Sequence, residues 1–185
     1  LPSGHYLLAM AVTSLNLQQI GTAYYEFTLP DASQFSKAVD TTPIFSLQSF
    51  EKMEAPENRT LIHKGCFTYS ILKIVPNLER VFSAGENLDI FFYIFGARQN
   101  NQQQFAININ FEVKKGEEDT IRYEPQTYNS PLISQPLPLK HTLINPQSQK
   151  KEERDLEPGK YTLVVAIQDG VSGNGLTKTY DFEVR

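Results

Sequence analysis

Apolar and polar residues alternate with a period of two along much of this chain, which predicts strands with one buried face. Phe105, Ile107, Ile109, Phe111 and Val113 alternate with Ala106, Asn108, Asn110 and Glu112. Tyr161, Leu163, Val165 and Ile167 alternate with Thr162, Val164, Ala166 and Gln168, and Tyr180, Phe182 and Val184 with Asp181, Glu183 and Arg185. After Asp89 the run 90–95 is apolar on both sides, as in a central strand covered on two faces. Residues 68–75 predict one further strand, closed by Pro76. Helical signals are scarce. Residues 32–39 predict a short helical turn capped by Asp31 or Ser33, and residues 48–53 another.

Turn chemistry separates these runs. Leu156-Glu157-Pro158-Gly159 opens one strand, with proline presetting φ and glycine supplying conformational freedom. Asp169-Gly170 and Ser172-Gly173-Asn174-Gly175 join the last two strands as a hairpin. Two stretches read as loops, 55–60 and 129–146. The second carries Pro131, Pro136, Pro138 and Pro146, which forbid a central strand and leave room for an edge strand near 135–139 or a polyproline segment. A charged run, 147–155, follows it.

The two ends of the chain are copies. Residues 1–29 align without a gap with residues 156–184 at an offset of 155, and eight of the 29 positions are identical. Leu1, Gly4, Tyr6, Leu8 and Ala11 recur as Leu156, Gly159, Tyr161, Leu163 and Ala166, and Thr22, Tyr25 and Phe27 as Thr177, Tyr180 and Phe182. A unit that recurs at fixed spacing marks an array. The chain is therefore expected to enter in the last hairpin of one repeat and to run through a second. Three regions follow: a hairpin over 1–30, an irregular segment with strands over 31–79, and a main sandwich over 80–185.

Composition narrows the partners. A length of 185 residues and 40% apolar content suffice for a core without disulfides or metals. The net charge of −4 argues against nucleic acid and anionic membrane surfaces. No uninterrupted apolar run approaches a transmembrane length, and no basic-then-apolar leader opens the sequence. Leu1 opens on a repeat motif, which reads as a mature portion or an excised fragment. The single cysteine, Cys66, excludes an intrachain disulfide.

Leu-x-Pro-Gly-x-Tyr, then alternating apolar residues, then Gly-x-Ala-x-x-x-Phe-x-x-Pro resembles the Ig-like β-sandwich modules of bacterial secreted proteins related to von Willebrand factor A. The match runs through Leu1, Gly4-His5-Tyr6 and Gly21 to Asp31, then Arg80 to Ala97, and closes on Leu156-Glu157-Pro158-Gly159-Lys160-Tyr161 and Phe182-Glu183-Val184-Arg185. Gly96 stands where the family pattern has Asn. The resemblance implies an all-β, antiparallel Ig-like sandwich in an extracytoplasmic setting, whether periplasmic, cell-surface or secreted. It implies no catalytic residues. The metal motif Asp-x-Ser-x-Ser of integrin-type domains is met only by Asp31-Ala32-Ser33-Gln34-Phe35, where Phe35 cannot ligate, so no metal site is carried over.

Candidate chemistry is sparse. His63 lies three residues before Cys66, but on a strand that spacing puts the two on opposite faces; Cys66 reads as a packing residue. Glu117, Glu118 and Asp119 beside Lys114 and Lys115 read as a solvated turn, and residues 150–155 likewise. His5 and His141 are isolated, and Asn58-Arg59-Thr60 is a glycosylation sequon with meaning only in a eukaryotic source. Tyr24, Tyr25, Phe91, Tyr93, Tyr123 and Tyr128 are the aromatics available for stacking.

The expected function is a non-catalytic module for protein–protein or cell-surface interaction or for domain spacing, not an enzyme and without a cofactor. Its candidate binding surface comprises Tyr123, Tyr128, Leu132 and Ile133, at and beside the 129–146 loop. The alternative is a carbohydrate-binding module using exposed tyrosines. The expected partner is a protein or cell surface, with self-association through the N-terminal hairpin, because an isolated two-stranded hairpin is only marginally stable.

Overall fold

A computed structural model of the chain describes residues 1–55, 66–69, 71–144 and 151–185. The chain divides into two compact units, Leu1–Ala38 and Val39–Arg185, and both are built from strands.

The first unit is a hairpin with a short cap. Strands β1 (Gly4–Thr13) and β2 (Ile20–Leu29) pair antiparallel from Gly4↔Leu29 to Thr13↔Ile20. A 3₁₀ turn, Ala32–Ser36, follows; Asp31 caps it by accepting from the Ser33 amide at 2.8 Å, as its sequence predicted.

The second unit is a β-sandwich. Its strands are β3 (Asp40–Thr41), β4 (Phe45–Lys52), β5 (Phe67–Tyr69), β6 (Leu72–Pro76), β7 (Val81–Phe82), β8 (Asn87–Phe95), β9 (Ile107–Lys115) and β10 (Glu118–Arg122). Then come β11 (Gln126–Tyr128), β12 (Leu132–Pro138), β13 (Lys140–Ile144), β14 (Lys151–Asp155), β15 (Gly159–Asp169) and β16 (Gly175–Val184). One sheet runs β10-β9-β15-β16-β7, with β11 also on β9; the other runs β12-β8-β4-β6-β5, with β3 also on β8. Strands β13 and β14 form a separate hairpin. Among the described pairings only β7 with β16 is parallel.

The period-two alternation dictates the core. Ile107, Ile109, Phe111 and Val113 of β9 and Leu163 and Val165 of β15 are fully buried, opposite Leu88, Ile90 and Phe92 of β8. Strand β8 also buries Phe91 on its other face, against Leu47 and Ile74, so it is the doubly covered central strand that its run of apolar residues predicts.

Several expectations are corrected. The sandwich begins at Val39, not at residue 80: β3 and β4 pair along β8, so the segment 31–79 supplies much of the second sheet. Residues 48–52 belong to β4, and Met53 follows it, so no helix forms over 48–53; a register shift between Leu47 and Ser49 breaks the alternation there. The single strand over 68–75 is a hairpin, β5 with β6, closed by Tyr69↔Leu72. In the stretch 129–146 the edge strand that the prolines left room for is present as β12, starting earlier than 135, at Leu132, and holding Pro136 and Pro138, because a free edge tolerates residues with no N–H to donate. Part of the charged run forms β14. Residues 145–150, including Pro146 and Lys150, lie outside the described residues.

The copied ends fold alike. Strands β15 and β16 pair from Gly159↔Val184 to Gln168↔Gly175, the register of β1 and β2 moved by the same 155 positions. The Tyr6 hydroxyl donates to the Pro2 carbonyl at 2.6 Å, and the Tyr161 hydroxyl donates to the Glu157 carbonyl at 2.7 Å. Tyr6 stacks on Phe27 with centroids 5.6 Å apart, and Tyr161 stacks on Phe182 at 5.8 Å.

Candidate functional site

The outer face of the β12-β8-β4-β6-β5 sheet carries an aromatic surface. Cross-strand register makes it: Phe50 of β4 lies opposite Ile74 of β6, and Ile74 lies opposite Phe67 of β5. Phe45 lies opposite Phe91 across β4 and β8. Rings meet at 5.8 Å for Phe45 and Phe67 and at 6.5 Å for Phe50 and Phe91. Leu47, Ile74 and Phe91 are buried beneath, while Phe50 and Phe67 remain 41% and 48% exposed. Phe50 and Phe67 therefore stand half open to water on either side of buried Ile74 in one cross-strand row, an apolar feature that a solvated face avoids.

At one edge of this sheet a groove of about 800 Å³ is lined by Asn77, Glu79, Ser83, Glu86, Asn87 and Asp89, among others. Burial pushes the Asp89 carboxyl above its ordinary value, and its Oδ1 has no hydrogen-bond partner among the described residues. Glu86 is committed to the turn below, accepting from the Ser83 amide at 2.7 Å. Three carboxylates, Glu79, Glu86 and Asp89, make the polar part of this lining acidic. No group of three His, Cys, Asp or Glu among the described residues is arranged to hold a metal ion.

The expected surface of Tyr123, Tyr128, Leu132 and Ile133 is not one surface. Ile133 is fully buried in the main core, because β12 turns Ile133, Gln135 and Leu137 inward opposite Phe92, Ile90 and Leu88. Leu132 faces the other way, onto the outer apolar cluster. Tyr123 and Tyr128 pack against the main core with their hydroxyls committed: Tyr123 donates to the Pro138 carbonyl at 2.8 Å and Tyr128 to Gln135 Oε1 at 2.7 Å. Burial raises the pKa of both phenols. Of the four, only Leu132 joins the aromatic face.

The remaining candidates separate as well. Cys66 is a half-buried free thiol, while His63 and the sequon at 58–60 lie outside the described residues. Glu117 and Glu118 sit on the exposed tip between β9 and β10, where Lys115 pairs with Glu118. His5 accompanies Thr28 and Glu26 on the hairpin surface, 3.0 Å and 3.7 Å away. His141 lies on β13 opposite Arg154. No helix among the described residues is long and apolar enough to cross a membrane.

Among the described residues Asp169 is the one fully buried carboxylate, and it holds a loop in place. Burial favours its protonated form, but the Ser172 hydroxyl and the amides of Arg98, Val171 and Ser172 outweigh that and hold its pKa below the ordinary value. It fastens the β15–β16 loop to Arg98, in the segment that follows β8.

Tyr24 and Tyr25, 69% and 62% exposed, are consecutive on β2 and so point to opposite faces. Tyr25 stacks on Phe27 at 6.0 Å, and Phe27 on Tyr6, which gives one hairpin face a ladder of three rings. The sequence signal for this ladder was the repeat itself. For the Phe50–Ile74–Phe67 row there was none, since its register crosses two turns. Compared with known proteins, the chain matches no family model, and no curated protein is significantly similar to it.

Proposed function

We propose that this chain is a non-catalytic, extracytoplasmic β-sandwich module that docks a protein or cell-surface partner and spaces domains in a series. The carrying observation is the pair of half-open phenylalanines, Phe50 and Phe67, in one cross-strand row on either side of buried Ile74 on an outer sheet face. Aromatic anchors of this kind supply most of the energy of a protein interface. The repeat at both ends supports the spacing role, and the resemblance to secreted bacterial modules supports the extracytoplasmic one. The test is co-sedimentation of the purified chain with envelopes isolated from its source cells, against the double variant F50S/F67S. Retention of the parent chain and loss in the variant are expected. Equal retention of both removes the aromatic face from the reading, and no retention of the parent removes the envelope partner.

One observation favours a second reading, a carbohydrate-binding module using exposed tyrosines: the ring ladder Tyr6–Phe27–Tyr25 is the sort of platform on which a sugar stacks. Its twin, Tyr161–Phe182 beside Tyr180, is core, which favours packing as the ladder's purpose. Specific binding on a glycan array, lost in Tyr25→Ala, would reverse that preference.

A further inference from the structure

The hairpins β1–β2 and β15–β16 are one design in two environments. Leu163, Val165, Ile167 and Tyr180 are 0%, 0%, 3% and 6% exposed. Their counterparts Leu8, Met10, Val12 and Tyr25 are 45%, 51%, 75% and 62% exposed. Both copies hold the same register, the same tyrosine bend and the same ring stack. What differs is cover. In the second unit β9 pairs along the free edge of β15, from Thr162↔Lys114 to Asp169↔Ile107, β7 pairs with the other edge at β16, and β8 and β12 close the face.

We propose that β1–β2 is the closing hairpin of another sandwich built like the second unit, whose remaining strands lie N-terminal to Leu1 on the same polypeptide. The order of the repeat carries this. Every strand that covers β15–β16 precedes it in the chain, so the same offset places the counterparts of β7, β8, β9 and β12 ahead of Leu1, the farthest by about 75 residues. A second copy does not fit. Strand β9 already holds β15 on one side and β10 and β11 on the other, so a copy could accept β1–β2 only by releasing its own well-buried β15–β16. The missing strands also have a stated chemistry. One must alternate apolar and polar residues as β9 does, antiparallel to β1. Tyr180 shares a buried hydrogen bond with Ser46 across the two sheets, so the Tyr25 hydroxyl calls for an equivalent polar partner. Lys178 pairs with Asp40, whereas its counterpart is Ala23, so no counterpart of Asp40 is required.

Amide hydrogen exchange tests this, on the 185-residue chain and on the full natural polypeptide. In the 185-residue chain the β1–β2 amides are expected to exchange ~100-fold or more faster than those of β15–β16. In the full polypeptide both hairpins should be protected, independently of protein concentration. Met10→Asp should then abolish protection in β1–β2 and leave β15–β16 unchanged. Protection of β1–β2 in the 185-residue chain, protection that grows with concentration, or fast exchange in the full polypeptide each overturns the proposal. So does a natural reading frame with fewer than about 75 residues ahead of Leu1.

Discussion

Leu8 and Leu163 are the same residue at the same register position of two like hairpins, and truncating each measures what cover is worth. Leu163 is fully buried, and Leu8 is 45% exposed. Leu163→Ala removes apolar surface from the main core and leaves a space that β9 and the opposite sheet cannot fill, which costs about 3–4 kcal/mol. For a domain of this size that lowers Tm by roughly 6–16 °C. Leu8→Ala removes a side chain about half exposed, and its cost is expected below about 1 kcal/mol. The measurement is thermal unfolding of the 185-residue chain by circular dichroism, with a urea series to confirm that the slope is unchanged. If Leu8→Ala lowers Tm as far as Leu163→Ala does, the hairpin face is covered in the folded chain. If Leu163→Ala costs less than about 1 kcal/mol, the core described here is wrong.

Three further outcomes follow from buried polar groups. Asp169→Ala should destabilise the second unit by about 2–4 kcal/mol at pH 7, because several donors lose a charged acceptor; the folded pKa is depressed, so this stability is present above the ordinary aspartate pKa and fades as pH falls below it, and urea midpoints of parent and variant should converge at acid pH. Tyr123, Tyr128 and Tyr180 have raised folded pKa values, so the parent should lose stability as pH climbs past about 10, where the unfolded phenols ionise first; an unchanged urea midpoint between pH 9 and 11 would count against their burial. Tyr180→Phe should cost about 1 kcal/mol in a urea titration, since Ser46 loses the tyrosine but keeps the Asn77 carbonyl as acceptor; a loss above about 3 kcal/mol would mean the hydroxyl holds more than this contact.

What the sequence made legible was whatever a strand encodes by itself. The alternation in β9, β15 and β16 and the two-faced run of β8 each read correctly, because one strand's inward and outward positions follow from its own period. Sheet neighbours were not legible. Phe50 joins the face of Phe45 and Leu47 only because a register shift falls between Leu47 and Ser49, and no strand's own period shows where such a shift falls. Pro136 and Pro138 excluded a central strand but left an edge strand and a polyproline segment both open, because an edge position is a property of the sheet. Ile133 read as surface for the same reason: its strand shows Gln135 between Ile133 and Leu137, and only the Tyr128 hydroxyl, which satisfies that glutamine, explains an inward face with a polar member.

The paired hairpins show how far local chemistry reaches. In both, a tyrosine hydroxyl bonds to a carbonyl four residues earlier, and its ring stacks on the phenylalanine across the strand pair. Neither interaction needs a sheet above it, and both form whether the face is buried or open. The hairpin therefore carries its own bend, register and ring order before anything covers it, and the ordering cost of docking is small. Such a part can close one sandwich and begin the link to the next while its shape is set by some thirty residues. Stability is a different matter. It comes from the β9 edge and the opposing sheet, as the exposures of Val165 and Met10 make plain, so the same sequence pattern specifies a conformation in both places and a folded core in only one of the two units described.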